Sequence, residues 1–371
     1  MSPHVLSAVA AVALGAVAGV VLFVPIVAGL YHRQGGLSLG RLLLWGAALV
    51  YFWAIWTYTL LPLPAPDTVR CAGTNTHLGQ FAGDLARAWA ESGGGLRAFA
   101  ANPLVLQLAL NVLLFVPLGF FVRVLGGRGL LTAGALGLAI SALVETTQLT
   151  GVWGLYDCAY RVFDVDDMLT NTSGALVGSL LALAVPRRLW GSNDAAPEVP
   201  RPVTRPRRLL GMFSDWLAST LILTALTVGL RLGAELLARA DRGALALAHW
   251  PEAIALATTA GIWLATTLAT GATPGDLTVR LAYRRPRMAT PPARLLRFLC
   301  GSGGYLLILL AGQALPLPGA AAVFALVCIV LVLAPTGPGG LPALATGAAL
   351  CDQRSPDRGP EAPAGPPQPH S

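Results

Sequence analysis

The stretch "RVFDVDDMLTNTSGALVG", Arg161 to Gly178, places an arginine and three aspartates directly before a run of apolar and small residues. Read as a helix that begins near Asp164, it carries Asp164, Asp167, Asn171, Gly174 and Gly178 at steps of three and four, so these residues form one stripe. Acidic groups in a first turn are favoured by the free N–H groups and the dipole there. Capping accounts for one aspartate more readily than for three. The glycines beneath Asn171 would let another helix approach closely. The stretch therefore reads as a buried helix with a polar mouth, inside a helical bundle.

The rest of the chain agrees. Of its 371 residues 55% are hydrophobic and 12% charged, with a mean hydropathy of +0.65, whereas a soluble domain is roughly 25% charged. Apolar runs of about 20 residues, the length that crosses a bilayer, fall near 5–30, 41–63, 104–125, 129–150, 168–186, 211–236, 250–270, 298–315 and 318–335. The expectation is an all-α, polytopic integral membrane protein with about nine transmembrane helices in two bundles. The first run is longer than the apolar core of a signal peptide and is preceded only by His4, so it is expected to be retained. Residues 1–188 form the first bundle. Residues 189–207, rich in proline and arginine, form a cytoplasmic linker; residues 208–350 form the second bundle, and 351–371 a disordered cytoplasmic tail.

No lysine occurs, and the formal charge is +7. The position of the arginines decides what that charge means. With the N-terminus outside, Arg33 and Arg41, Arg123 and Arg128, the run from Arg187 to Arg208, the run from Arg280 to Arg297, and Arg354 and Arg358 all face the cytoplasm. The positive-inside rule thus explains the charge as topology, with the C-terminus cytoplasmic, and a nucleic-acid partner is excluded. The same topology puts Cys71 and Cys158 in two outer loops, where they are either a disulfide or two free thiols. The larger outer loop, about Pro64 to Pro103, holds Phe81, Leu85, Trp89, Leu96 and Phe99 near helical spacing. It predicts an amphipathic helix that lies on the outer leaflet or packs over the bundle.

The candidate polar pocket comprises Asn111, Arg123, Glu145, Gln148, Arg161, Asp164, Asp166, Asp167 and Asn171. Ser141, Glu145 and Gln148 share a helix face, and a charge within a span costs at least ~2.5–3.5 kcal/mol, so Glu145 should face the bundle. These groups either bind a ligand or form a network that fixes helix packing. No cofactor is evident; an oxygen-rich cluster could hold a divalent cation, Mg²⁺ or Ca²⁺, or the carboxylates and Arg161 could bind a polar head group or peptide. A carboxylate pair can also perform acid–base work on a lipid substrate, although no nucleophile identifies itself and no Gly-Lys loop, nucleophile elbow or HExxH is present. Whether the chain is an enzyme stays open.

"NVLLFVPLGFFVRVL" (Asn111–Leu125), then "ALVETTQL" (Ala142–Leu149), then the opening stretch, resemble the VanZ family of bacterial membrane proteins. The match runs through Asn111, Phe115, Pro117, Gly119, Glu145, Gln148, Arg161, Asp164, Asp166, Asp167, Asn171 and Gly174, and "YTLLPLP" (Tyr58–Pro64) is similar to the motif ending the preceding helix. The resemblance covers roughly residues 45–187. It implies a place in the bacterial plasma membrane and an association with low-level resistance to teicoplanin-type glycopeptides, with the glycopeptide or a lipid-linked cell-wall precursor as the partner beside the bilayer itself. In the second half "RLLGMFSD" (Arg208–Asp215) and "GATPGDLTVRL" (Gly271–Leu281) resemble RDD-family membrane domains, with Arg208, Asp215, Gly271, Thr273 and Gly275 as the matching positions. There Asp276 stands where a basic residue is usual. That resemblance implies a small-solute or ion transporter; Asp215 alone reads equally as a helix-initiating carboxylate.

Overall fold

The computed structural model describes residues 3–65, 68–186, 198–237, 249–315, 318–335 and 337–355. It is mostly helical, with four short strands among the described residues, and divides into two compact units, one of Met1–Val21 with Ser38–Asp194 and one of Leu22–Leu37 with Ala195–Ser371.

The first unit contains α2 (Leu39–Leu60), β1 (Thr74–Asn75), α3 (Gln80–Glu91), α4 (Leu96–Ala100), α5 (Pro103–Val124), α6 (Leu130–Leu149), β2 (Phe163–Asp164) and α7 (Val165–Leu181). Helix α1 (Pro3–Gln34) is shared between the units along its length. Local signals in the sequence set these boundaries. Ser38 accepts the Arg41 N–H at 3.3 Å to start α2, and Asn102 accepts the Leu104 N–H at 3.0 Å ahead of Pro103 to start α5. Asp164 accepts the Asp166 N–H at 2.9 Å to start α7.

Helices α5 and α7 meet backbone to backbone. A Cβ on Gly119 would strike the Ala175 carbonyl oxygen, and one on Gly174 or Gly178 would strike the carbonyl oxygens of Val112 or Val116. In lipid, where apolar burial drives little association, such small-residue contacts hold helices together. Phe115, Ile55 and Val144 form the buried apolar centre nearby.

The second unit contains α8 (Arg205–Leu237), α9 (Trp250–Thr270), α10 (Pro274–Thr278), β3 (Leu281–Arg284), α11 (Thr290–Leu299), α12 (Ser302–Ala311), α13 (Ala320–Leu333), α14 (Gly340–Thr346) and β4 (Ala349–Asp352). Its core joins Leu256, Ala260, Trp263, Phe298 and Leu306, with a second cluster of Val27, Tyr31, Val279 and Leu281. Strands β3 and β4 pair antiparallel, Leu281 opposite Asp352.

Among the described residues six helices are long and apolar enough to cross a membrane, or seven if α11 and α12, bent by 59° at their junction, count as one span. This is fewer than the nine expected. Helix α7 has only 17 residues, extended by a 3₁₀ turn at Ala182–Ala184. Helix α13 has 14, about 21 Å of rise against a hydrocarbon core of about 30 Å. The expected span at 298–315 breaks at Gly301, because Gly303 and Gly304 sit against the Phe298 ring and the Leu299 carbonyl.

Three domain boundaries move as well. Residues 22–37 group with the second unit, since Val27 and Tyr31 pack on Val279 and Leu281. Helix α8 begins at Arg205, within the expected linker, while residues 189–197 of that linker lie outside the described ones. The expected disordered tail begins with a strand: Asp352 is buried and accepts from Arg354 Nε at 2.7 Å and Arg207 Nη2 at 2.8 Å. Residues 356–371 lie outside the described ones.

Candidate functional site

The three aspartates at the mouth of α7 each take a separate set of donors. Asp164 is the N-cap of α7 and its other oxygen accepts from Asn75 Nδ2 at 3.2 Å. Asp166 turns away and accepts the backbone N–H groups of Gly79 and Phe81 at 2.7 and 2.9 Å, the free donors at the start of α3. Asp167 reaches α5 and accepts from Asn111 Nδ2 at 2.6 Å. Capping thus accounts for two of the three, because two helices begin here.

Beside them Glu145, only 3% exposed, accepts the Asp164 N–H at 3.0 Å through Oε2. One turn deeper, Asn171 donates to Ser141 Oγ at 2.9 Å, and its Oδ1 is buried without a partner. Gln148 Nε2 and Arg161 Nη1 both donate to the Thr59 carbonyl, each at 2.9 Å, satisfying the end of α2. Tyr160, in the loop above, also holds a buried hydroxyl without a partner; burial pushes that phenol above its usual range.

A cap closes over this cluster. Cys71 and Cys158 are disulfide-bonded. Ala72 N–H bonds to the Ala159 carbonyl at 2.8 Å, and β1 pairs parallel with β2. Together with the Asp166 bonds these contacts fasten α3 to the mouth of α7. Helix α3 packs on α5, which is the second of the two arrangements its amphipathic pattern allowed.

Eight of the nine candidate residues therefore gather at one end of the unit. Arg123 does not: it lies twelve residues along α5 from Asn111, about 18 Å at helical rise, where its Nε donates to Ser179 Oγ at 2.8 Å. Sequence reasoning missed Asn75 and the Gly79 and Phe81 N–H groups. A left-handed Gly79, φ 88°, ahead of the amphipathic run marks that helix start. The fit to a divalent cation is poor. Among the described residues no three His, Cys, Asp or Glu side chains are grouped as a metal site requires, since each carboxylate is turned toward a different neighbour.

In the second unit the candidate residues also assemble, around partners that the sequence did not single out. Asp215, buried, accepts from Trp263 Nε1 at 2.9 Å, Thr273 Oγ1 at 2.6 Å, the Gly275 N–H at 2.7 Å and Ser302 Oγ at 3.2 Å. It lies within α8 and not at its start, so it does not initiate that helix. Arg208 pairs with Asp276, and so does Arg297. Gly275 packs against the Gly211 carbonyl, and Gly271 caps α9 with φ 75°. Arg207, Arg208 and Arg297 were expected as loop charges; all three are buried. Asp276 forms a capping box with Thr273, a T-x-x-D signal readable in the sequence.

The fold and these motifs define a multi-pass helical membrane protein with a VanZ-like segment. The VanZ/LLP1 family model matches residues 48–186, well under half of the chain. No curated protein and no solved structure matches it.

Proposed function

We propose that this chain is a cell-envelope factor of a bacterial plasma membrane that lowers susceptibility to teicoplanin-type glycopeptides. Its first unit engages the drug, or the lipid-linked wall precursor the drug targets, at the capped polar end of α5, α6 and α7. The observation that carries the reading is the bare buried Asn171 Oδ1 beside Glu145, beneath a cap held by a disulfide. A bare acceptor next to a buried carboxylate asks for a ligand rich in N–H and O–H donors, which sugars and peptides supply. The Cys71–Cys158 bond supports an outward-facing cap, because disulfides persist in oxidising compartments. The separate commitments of Asp164, Asp166 and Asp167 favour recognition over acid–base chemistry or cation binding.

The test is teicoplanin susceptibility of a deletion strain complemented with wild type, Glu145→Gln or Asn171→Ala, with the membrane level of each variant measured in parallel. The proposal expects normal accumulation of at least one variant with lost protection. Full protection by both, at normal levels, overturns it.

A further inference from the structure

The second unit holds a cavity of 780 Å³ whose walls and floor differ in character. Its walls are apolar, with Phe213, Leu309, Phe324 and Ile329 among them, while Arg208, Asp215, Thr273, Arg297 and Ser302 stand at one place on its lining. There the carboxylates are fully engaged. Asp276, 0% exposed, takes both arginines, and Asp215 takes four neutral donors. The arginines are not. Arg208 Nε, Arg297 Nε and Arg297 Nη1 are buried donors with no partner, although Arg297 is 2% exposed and lies 4.0 Å from the Tyr283 ring centre. Arg297 Nη1 faces Gly301, itself on the cavity lining; a Cβ on Gly301 would lie 3.2 Å from that nitrogen.

Unmet donors of this kind select the ligand. An unpaired buried donor is costly, and more so on a charged group, so the missing partner is an acceptor; amines and metal cations are excluded. A guanidinium presents five donors in a planar fork that matches the oxygens of a carboxylate or phosphate. Asp276 engages Arg297 through Nη2, which leaves Nη1 and, on another edge of the plane, Nε each without an acceptor. Apolar walls of this size accommodate a hydrocarbon chain.

We propose that the cavity binds an anionic amphiphile, its carboxylate or phosphate head on Arg297 and Arg208 and its acyl chain along α12 and α13. The cavity is lined by residues of the second unit alone, and the proposal holds whether or not the glycopeptide reading does.

The test uses the full chain purified into phosphatidylcholine nanodiscs. Binding of labelled oleate and of labelled lysophosphatidate is measured against oleyl alcohol, which has the tail without the charge, and against inorganic phosphate, which has the charge without the tail. The expected result is saturable binding of at least one of the two anionic amphiphiles, oleyl alcohol weaker by about ten-fold or more, and no competition by millimolar phosphate. Arg297→Gln should weaken binding. Should that variant fail to accumulate, Ala325→Trp, which fills the cavity from its α13 wall, keeps the question open to refutation: it should accumulate and lose binding. Equal affinity for oleyl alcohol, competition by phosphate, or wild-type binding by Ala325→Trp each overturns the proposal.

Discussion

At the scale of single residues, the first unit is decided by where a side chain is missing and where a carboxylate points. Gly178 faces the Val116 carbonyl so closely that a Cβ cannot fit. Gly178→Val should therefore destabilise the protein by about 1–3 kcal/mol or more, whereas Gly261→Ala, in an exposed part of α9 with open space beside it, should be neutral or stabilising by ~0.5–1 kcal/mol. Thermal unfolding in detergent separates the two. Asp166 gives a second contrast. Asp166→Ala strands the Gly79 and Phe81 N–H groups and should cost about 1–3 kcal/mol, while Asp166→Asn keeps one acceptor and should cost less. Step-of-four spacing made Asn111, Glu145 and Asn171 legible as inward-facing groups in the sequence. The roles of the aspartates were not legible, because Asp166 answers to a helix 85 residues away. Arg123 failed for a related reason: spacing gives the face of a helix but not which end of it is used.

At the scale of elements, two fastenings carry predictions. The Cys71–Cys158 disulfide, with the β1–β2 pairing, ties α3 to the start of α7. Its loss in a Cys71→Ser, Cys158→Ser double variant should cost ~2–5 kcal/mol. Trypsin should then cut sooner at Arg87 and Arg97, a change that band patterns over time would show. The second fastening joins β4 to α8. Burial alone would raise the Asp352 carboxyl, but hydrogen bonds from the Arg354 side chain and N–H, the Arg207 side chain and the Arg201 N–H outweigh it, and they hold the group well below the usual carboxylate range. A depressed pKa adds stability that is fully present above the unfolded value, ~3.9, and is lost as pH falls from there toward the depressed one. Wild type should lose melting temperature below about pH 4, and Asp352→Asn, less stable at neutral pH, should show a shallower loss across that window. Composition predicted a disordered segment here. A short strand and one buried carboxylate suffice to order Cys351–Ser355, and neither leaves a compositional trace.

At the scale of the whole molecule, the arginines serve two purposes that a loop count cannot separate. Arg207, Arg208 and Arg297 are buried with carboxylates or carbonyl oxygens, so they contribute to packing as well as to the charge near their helix ends. The exposed Arg33, Arg205, Arg285 and Arg287 and the partly exposed Arg284 still lie at the same helix ends and loops. Orientation can therefore be tested by direct labelling. In a variant lacking Cys300, Cys328 and Cys351, with the disulfide intact, Thr76→Cys lies exposed beside the cap and Ser355→Cys lies just after β4. A membrane-impermeant maleimide should modify Thr76→Cys in intact cells and Ser355→Cys only after permeabilisation, in line with an outer cap and a cytoplasmic C-terminal strand. Labelling of both in intact cells would put an even number of crossings between them, and α7 or α13, the two short helices, would then be the first to be reassigned as not spanning.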